Sequence, residues 1–142
     1  MVLRHIPKEL SPELVKVLME MGHGDEIVLA DANYPAVSNA KRLIRCDGLG
    51  IPDILKSILY LFPLDTYVSK SVFLMEPEDG DTPPIIWDEY ISILRVSDVS
   101  ENQIEYLTRK DFYNQSKNAF AIVATGETAL YGNIILKKGV IK

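Results

Sequence analysis

The sequence predicts an α/β fold built around a mostly parallel or mixed sheet. Segments with apolar residues at helical spacing alternate with short, continuously apolar segments that are typical of buried strands. At 142 residues and a hydrophobic share of 47%, the chain can bury one substantial core. No linker, internal repeat or low-complexity stretch interrupts it, so we expect a single domain over residues 1–142.

The first helix and the first strand follow from clear local signals. The segment 11–13 (Ser-Pro-Glu) suits a helix start, because serine caps the first turn, proline fits it and a carboxylate favours the positive end. Apolar residues recur at helical spacing up to Met21, and Gly22 can take the left-handed conformation that ends a helix. The apolar run 27–30 then predicts a strand buried on both faces.

The remaining elements continue the alternation. Pro63 is expected to stop the second helix, and Pro and Gly mark a polar loop after the second strand. The predicted order is helix 51–62, strand 67–75, loop 76–84, helix 86–94, strand 104–107, helix 112–118, strand 119–124 and strand 133–136.

Composition and charge argue against several classes of function. The net charge is -5 and the basic residues form no stripe, which disfavours nucleic acid and anionic membranes as partners. No apolar run approaches the roughly 20 residues of a membrane span, and residues 1–8 lack the apolar stretch of a signal peptide. We therefore expect a soluble, cytoplasmic protein.

Metal, redox and thiol chemistry find little support in the residues. Cys46 is the only cysteine, so neither an internal disulfide nor a thiolate metal cluster is expected, and a small buried thiol is the simpler interpretation. The acidic run 76–81 lacks the ligand spacing of a calcium-binding EF-hand and is interpreted as a solvated loop. No P-loop, nucleophile elbow or dinucleotide fingerprint is present. We expect no metal and no cofactor.

His23 and Asp31 are the first candidates for chemistry. His23 lies between two glycines, which leave its backbone free to bring the imidazole to a ligand, and an imidazole exchanges protons near neutral pH. Asp31 follows the strand 27–30, at the kind of strand end where open α/β sheets bind ligands. Position alone favours a capping role for His23 and leaves a turn-forming role for Asp31 equally open.

Other polar residues have suitable chemistry but weaker local signals. Tyr131 and Asn133 offer hydrogen-bonding groups suited to carbohydrate, although a hairpin-like turn is the simpler interpretation of this segment. Arg109 and Tyr113 are four residues apart and would share a helix face, by default a solvated one. Asp65 follows a proline break and suits an ordinary turn.

Four segments, taken together in their order and spacing, resemble the L-fucose mutarotases over essentially the whole chain. Gly24 and residues 45–49 resemble this family more than the related ribose pyranases, which have Thr after the histidine; Cys46 stands where the family has Ala. The four segments are 21–26 (Met-Gly-His-Gly-Asp-Glu), 30–35 (Ala-Asp-Ala-Asn-Tyr-Pro), 44–49 (Ile-Arg-Cys-Asp-Gly-Leu) and 119–127 (Ala-Phe-Ala-Ile-Val-Ala-Thr-Gly-Glu) continuing to 131–133 (Tyr-Gly-Asn).

The resemblance implies an isomerase that interconverts sugar anomers by acid-base ring opening and closure. It implies a three-layer α/β/α fold, L-fucose as substrate, and a homo-oligomer, with a decamer favoured over a dimer. It implies that His23 is the proton donor, and we add that Tyr131 assists proton movement. The implied sugar contacts are Asp31, Arg109, Tyr131 and Asn133, with Asp65, Met75 and Tyr113 as further ones.

The spacing of His23 and Asp31 restricts how they can work together. Eight residues in extended conformation span up to roughly 26 Å. Either the intervening chain bends sharply, or the two residues meet in a site shared between neighbouring subunits. Two other functions stay open at this point: a non-catalytic sugar-binding accessory protein linked to uptake, and a structural oligomer that binds no sugar.

Overall fold

Residues 2–142 are described by a computed structural model, and they form six strands in one sheet with helices packed on both faces. The helices are α1 (Pro12–Glu20), α2 (Ala36–Asn39), α3 (Ile51–Leu61), α4 (Ile86–Val96) and α5 (Arg109–Lys117), with a 3-10 turn at Glu101–Gln103. The strands are β1 (Glu26–Ala30), β2 (Leu43–Cys46), β3 (Val72–Met75), β4 (Ile104–Leu107), β5 (Ala121–Thr125) and β6 (Ile134–Lys137).

The sheet is mixed, as the sequence predicted, and its one reversed strand lies inside it. The strand order is β2-β5-β1-β6-β3-β4. β6 is antiparallel to both of its neighbours, β1 and β3, whereas the other adjacent pairs are parallel. The carboxyl ends of β1 to β5 therefore share one edge of the sheet with the start of β6.

Two apolar clusters, one on each face of the sheet, confirm the three-layer arrangement. Alternate residues of a strand point to opposite faces, so Ile27 belongs to one cluster and Val28 to the other. The larger cluster receives the apolar sides of α1, α3 and α4, and the smaller one receives α2 and α5. Residues 27–30 of β1 are fully buried, as predicted from their continuous apolar run.

Helix α1 begins where the sequence predicts and ends differently. The Ser11 side chain accepts a hydrogen bond from the Leu14 N–H at 3.2 Å, which is the expected N-cap. The prediction of a left-handed Gly22 is wrong, because the positive φ in this segment, 87°, belongs to Gly24. The helix ends at an extended Met21 instead, and the chain turns two residues later, directly after His23.

Strand β3 is shorter than the predicted strand 67–75. Hydrogen bonding starts at Ser71, whose N–H donates to the Gln103 carbonyl at 3.0 Å. The preceding residues lie in a loop where Tyr67 is 66% exposed. The β-forming residues at 67–70 have no neighbouring strand to pair with, and propensity without a partner does not make a strand.

The other predicted boundaries lie within three residues of the observed ones, and β4 matches its prediction at both ends. Helix α5 begins at Arg109 rather than 112, because the Thr108 hydroxyl caps the Asp111 N–H at 3.2 Å. Strands predicted over 119–124 and 133–136 are β5 and β6, shifted by one or two residues. The sequence pattern does not predict β2 or α2, which are four residues each; β2 also carries the exposed Arg45.

The structure gives no helix in residues 2–142 that is both long and apolar enough to cross a bilayer.

The start of α3 is held by a distant residue rather than by its own cap. The Glu127 carboxylate accepts a hydrogen bond from the Ile51 N–H at 3.1 Å. Beside it, the Gly126 N–H donates to the Leu49 carbonyl at 2.9 Å, so the end of β5 is joined to the loop before α3.

Gly126→Ala is expected to destabilise the protein by about 1–3 kcal/mol, the usual range for an overpacked site. A Cβ at this position would overlap the main-chain oxygen of Asp47, and a main-chain neighbour cannot move aside as a side chain can. The free energy of unfolding, measured by chemical denaturation, tests this. Gly48→Ala, in the loop that Gly126 contacts, is the control: its Cβ would meet nothing within 4 Å, and its effect should stay within about 0.5 kcal/mol. Equal losses in the two variants would contradict the prediction.

Candidate functional site

A polar cavity of about 320 Å³ opens at the sheet edge where β1 and β3 end and β6 begins. A groove between α3 and α4 is of similar size but exposes mainly apolar surface. The polar cavity contains six of the eight residues proposed as site residues from the sequence, which are Asp31, Met75, Arg109, Tyr113, Tyr131 and Asn133.

Asp31 and Asn133 form the floor of this cavity and fix each other. The Asn133 Oδ1 atom accepts a hydrogen bond from the Asp31 main-chain N–H at 2.7 Å. The Asp31 Oδ1 atom accepts one from the Asn33 N–H at 3.0 Å, which closes a local turn. With its carbonyl oxygen occupied, Asn133 presents its amide hydrogens as donors to the cavity, next to the acceptor oxygens of Asp31.

Burial raises the pKa of the Asp31 carboxyl above its ordinary value of 3.8. Main-chain N–H groups, that of Asn33 first among them, act in the opposite direction, and the charge of Glu127 adds a small further rise. Asp31 is only 7% exposed. The fold therefore holds this carboxylate where ionisation is disfavoured, which is unusual for a turn-forming aspartate and typical of a functional site.

Helix α5 supplies the second wall of the cavity through Arg109 and Tyr113. The Arg109 guanidinium lies over the Tyr113 ring, 5.3 Å from its centroid, so the two residues share a face as their spacing predicted. Arg109 also lies 3.6 Å from the carboxylate of Glu78 on the loop that follows β3. This face of the helix points to the cavity rather than only to solvent.

Tyr131 reaches the cavity from a strained backbone. Its φ is 55°, a left-handed conformation that bulky residues rarely adopt. The turn is held by two buried donors: the Trp87 indole N–H donates to the Tyr131 carbonyl at 3.1 Å, and the Tyr90 hydroxyl donates to the Gly132 carbonyl at 2.6 Å. A Cβ on Gly132 would lie 2.9 Å from the Ala129 carbonyl oxygen, so this glycine serves the turn itself. The segment is not a hairpin, because β1 separates β5 from β6.

His23 and Asp65 lie at the opposite edge of the sheet and form a pair. The His23 Nε2 atom is 3.0 Å from Asp65 Oδ1, and the Tyr67 N–H donates to the same oxygen at 3.0 Å. The imidazole is half exposed and packs on the Tyr67 ring, whereas Asp65 is buried. Burial acts to raise the pKa of Asp65, but the hydrogen bonds from Tyr67 and His23 outweigh it and the pKa lies below its ordinary value. Asp65 is thus not an ordinary solvated turn residue.

The two groups of candidates are separated by the full length of β1. His23 precedes this strand and Asp31 follows it. The strand is extended and paired on both sides, so the sharp bend that would bring the two residues together in one subunit is absent between residues 26 and 30. His23 and Asp65 are the two predicted site residues that do not line the cavity.

Five residues that line the cavity were not among the candidates from the sequence. Two of them, Glu78 and Asp81, belong to the acidic run that was interpreted as a solvated loop; they contact Arg109 and Tyr131. Their position in a loop rich in Pro and acidic residues gave no signal of these contacts. The other three are Asn33, Tyr34 and Leu130.

No group of three or more His, Cys, Asp or Glu side chains in residues 2–142 is arranged to hold a metal ion. The cavity instead combines donors, acceptors and a few apolar surfaces. Asp31 supplies acceptors, Asn133 and Arg109 supply donors, and Met75 and Leu130 supply apolar contacts. This combination suits a small polyhydroxylated ligand that also carries apolar surface.

Comparison with known proteins extends over nearly the whole chain. A model of the RbsD / FucU transport protein family matches residues 4–141. A fucose mutarotase of Danio rerio is 52% identical, with 99% of this chain and 95% of the relative covered. The crystal structure of the fucose mutarotase from Streptococcus pneumoniae in complex with L-fucose has a TM-score of 0.97 and 60% identity, with 99% and 100% covered. The structure of Bacillus subtilis RbsD complexed with D-ribose is more distant, with a TM-score of 0.71 and 26% identity over 94% and 95% of the two chains.

Asp31→Asn is expected to raise the melting temperature at pH 7. Because the folded-state pKa of Asp31 is raised, the native protein binds the proton more tightly than the unfolded chain does. The contribution of Asp31 to the free energy of unfolding of the wild type therefore falls as the pH rises from 3.8 to the raised pKa. An Asn side chain does not ionise, so the variant keeps this free energy, and its Oδ1 atom can still accept the hydrogen bond from Asn33.

Thermal unfolding of the two proteins between pH 3.5 and pH 8 measures the difference. The gap between Asp31→Asn and wild type should widen towards neutral pH and then level off. The exposed Asp79→Asn variant is the control and should follow the wild-type curve. A gap that stays constant across this range, or an Asp31→Asn variant that is less stable at pH 7, would contradict the prediction.

Proposed function

The chain belongs to the RbsD / FucU transport protein family, and from this premise we propose that it is an isomerase that interconverts the α and β anomers of L-fucose. The main support is a polar cavity at the sheet edge in a chain 60% identical to a fucose mutarotase whose structure holds L-fucose. L-Fucose is favoured over D-ribose because the ribose-bound relative shares only 26% of its residues with this chain.

The cavity groups match the hydroxyls of a pyranose in kind. The Asp31 carboxylate accepts hydrogen bonds from two sugar hydroxyls, while Asn133 and Arg109 donate to sugar oxygens. L-Fucose carries a methyl group in place of a hydroxymethyl group, and Met75 and Leu130 offer it apolar contact. Tyr113 completes the wall beside Arg109.

Ring opening requires one proton removed from the anomeric hydroxyl, which passes to solvent water, and one delivered to the ring oxygen; ring closure reverses both transfers. His23 is proposed as the acid, since an imidazolium can release a proton near neutral pH. Asp65 accepts a hydrogen bond from the Nε2 side of the ring, which leaves Nδ1 as the atom that gives its proton to the sugar. Asp65 thus orients the His23 ring.

His23 and Asp65 are proposed to act on the cavity of a neighbouring subunit. They are held at the opposite end of β1 from Asp31, so one chain cannot bring both halves to the same sugar. The half-exposed His23 ring and the exposed Tyr67 ring beside it provide the surface that would meet the neighbour. A homo-oligomer follows from this arrangement; its assembly as a decamer and its cytoplasmic location remain predictions from the sequence.

The alternative is a non-catalytic sugar-binding protein linked to uptake, a role that the description of the family as transport proteins favours. Such a protein would use the same cavity and would not need the His23–Asp65 pair. Saturable L-fucose binding without anomer exchange would support it.

We expect the wild-type protein to accelerate anomer exchange of L-fucose more than anomer exchange of D-ribose. The His23→Ala variant should exchange L-fucose roughly 10²- to 10⁴-fold more slowly than the wild type. The rate falls because no other group replaces the acid. Saturation-transfer NMR on the anomeric protons measures the exchange directly, and circular dichroism checks that the variant is folded.

His5→Asn is the matched control, because His5 is the other histidine of the chain, lies outside the cavity and has a left-handed backbone that Asn tolerates. It should exchange L-fucose at the wild-type rate. A folded His23→Ala variant with unchanged exchange would refute the acid role of His23, and a wild-type protein that only binds L-fucose would refute the proposed activity.

Co-expression of His23→Ala and Asn133→Ala subunits is expected to restore activity that neither variant has alone. In a shared site, a His23→Ala subunit still supplies an intact cavity and an Asn133→Ala subunit still supplies an intact His23. Random assembly would make about a quarter of the sites complete. The exchange rate of the purified mixed oligomer, selected through two different affinity tags, is the measurement.

His23→Ala mixed with His23→Gln is the control and must remain inactive, since no subunit carries the acid. A mixed His23→Ala and Asn133→Ala oligomer as inactive as this control would show that each subunit works alone.

A further inference from the structure

The loop after β3 holds the hydroxyl of Tyr131 between two of its residues. The Tyr131 hydroxyl donates to the Asp81 carboxylate, and the Glu78 main-chain N–H donates to the Tyr131 oxygen at 3.2 Å. Residues 78–81 form a tight turn, with the Asp81 N–H donating to the Glu78 carbonyl at 3.0 Å. Gly80 takes the left-handed conformation within it, at a φ of 89°. We call residues 78–81 the acidic turn.

The acidic turn is itself tied to the rest of the cavity. The Glu76 N–H donates to the Leu107 carbonyl at 2.8 Å, which continues the β3–β4 pairing into the start of the loop. The Glu78 carboxylate lies 3.6 Å from the Arg109 guanidinium. The turn therefore touches two of the groups proposed to contact the sugar, and it lines the cavity through Glu78 and Asp81.

These contacts use up most of the hydrogen-bonding capacity of the Tyr131 hydroxyl. A phenol hydroxyl has one proton and two lone pairs. Asp81 takes the proton and the Glu78 N–H takes one lone pair. One lone pair is left, so the hydroxyl can accept a hydrogen bond from a ligand and has no proton to donate to it.

We propose that Asp81 is a positioning residue that, together with the Glu78 main chain, turns Tyr131 into a hydrogen-bond acceptor that orients the anomeric hydroxyl of the sugar. This inference rests on the anomer exchange proposed above. It assigns a function to the acidic turn, which contacts the proposed site through Tyr131 and Arg109.

The surroundings of Tyr131 agree with this role. The hydrogen bond to Asp81 is the main cause that raises the pKa of Tyr131, so the residue stays protonated at neutral pH. The strained backbone of Tyr131 and the buried Trp87 and Tyr90 donors fix the root of the side chain. Only the torsion of the hydroxyl is left to be set, and Asp81 sets it.

Asp81→Ala is expected to lower the kcat for L-fucose anomer exchange about tenfold, the effect of losing one hydrogen bond to a charged group. KM should change less than about threefold, because the other sugar contacts remain. Asp81→Asn should recover most of the rate, since the Asn Oδ1 atom can accept the same proton. The double variant Asp81→Ala/Tyr131→Phe should be no slower than Tyr131→Phe alone, since Asp81 acts through the hydroxyl that Phe lacks.

Asp79→Asn is the matched control within the same turn. Asp79 is exposed and does not line the cavity, so this variant should keep the wild-type kcat and KM. Near-UV circular dichroism of each variant checks that the fold is kept.

Three results would overturn the inference: Asp81→Ala as fast as Asp79→Asn, Asp81→Asn no better than Asp81→Ala, or a double variant slowed by the product of the two single effects. A wild-type protein without L-fucose exchange would instead refute the proposed function on which the inference rests. The two failures are therefore distinguished by the wild-type rate measured in the same series.

Discussion

Hydrogen bonds on both sides of β1 hold its backbone extended, and the arrangement of the site follows from this constraint. β1 pairs with β5 over residues 27–30 and with β6 over residues 26–29. Its apolar side chains are fully buried between the two helical layers. A strand paired on both edges and covered on both faces cannot fold back on itself. Groups that precede and follow it, His23 and Asp31, are therefore kept at opposite edges of the sheet.

The reversed direction of β6 decides which polar groups meet at the cavity. In a fully parallel sheet the start of this strand would lie at the other edge. Because β6 runs antiparallel between β1 and β3, Asn133 lies next to Asp31, and its Oδ1 atom accepts a hydrogen bond from the Asp31 main-chain N–H. The same reversal brings the end of β6 to Asp65, whose N–H donates to the Lys137 carbonyl at 2.9 Å. One strand thus supports both halves of the proposed chemistry.

The elements that the sequence predicted well are those with strong local signals. The Ser11 cap and the apolar spacing of α1, and the continuous apolar run of β1, each need only neighbouring residues to be recognised. The strand predicted over 67–75 was too long, because its first residues have no partner strand. β2 was missed because it is short and interrupted by the exposed Arg45, and its pairing with β5 is a long-range contact.

The candidate residues also divide into features that local sequence reveals and features that depend on long-range contacts. The residue types themselves named Asp31, Tyr131 and Asn133 as ligand-binding candidates and His23 as a proton-exchange candidate. The family resemblance made His23 the acid and added Arg109, Asp65, Met75 and Tyr113 as sugar contacts. The sequence also required that His23 and Asp31 be far apart or joined by a bend. Which edge each group occupies, the pairing of His23 with Asp65, and the contact of Asp81 with Tyr131 appear only in the tertiary structure. The physical reason is that spacing along the chain controls local geometry, whereas strand order, strand direction and loop contacts depend on pairings between distant residues, such as Asp31 and Asn133, which are 102 positions apart.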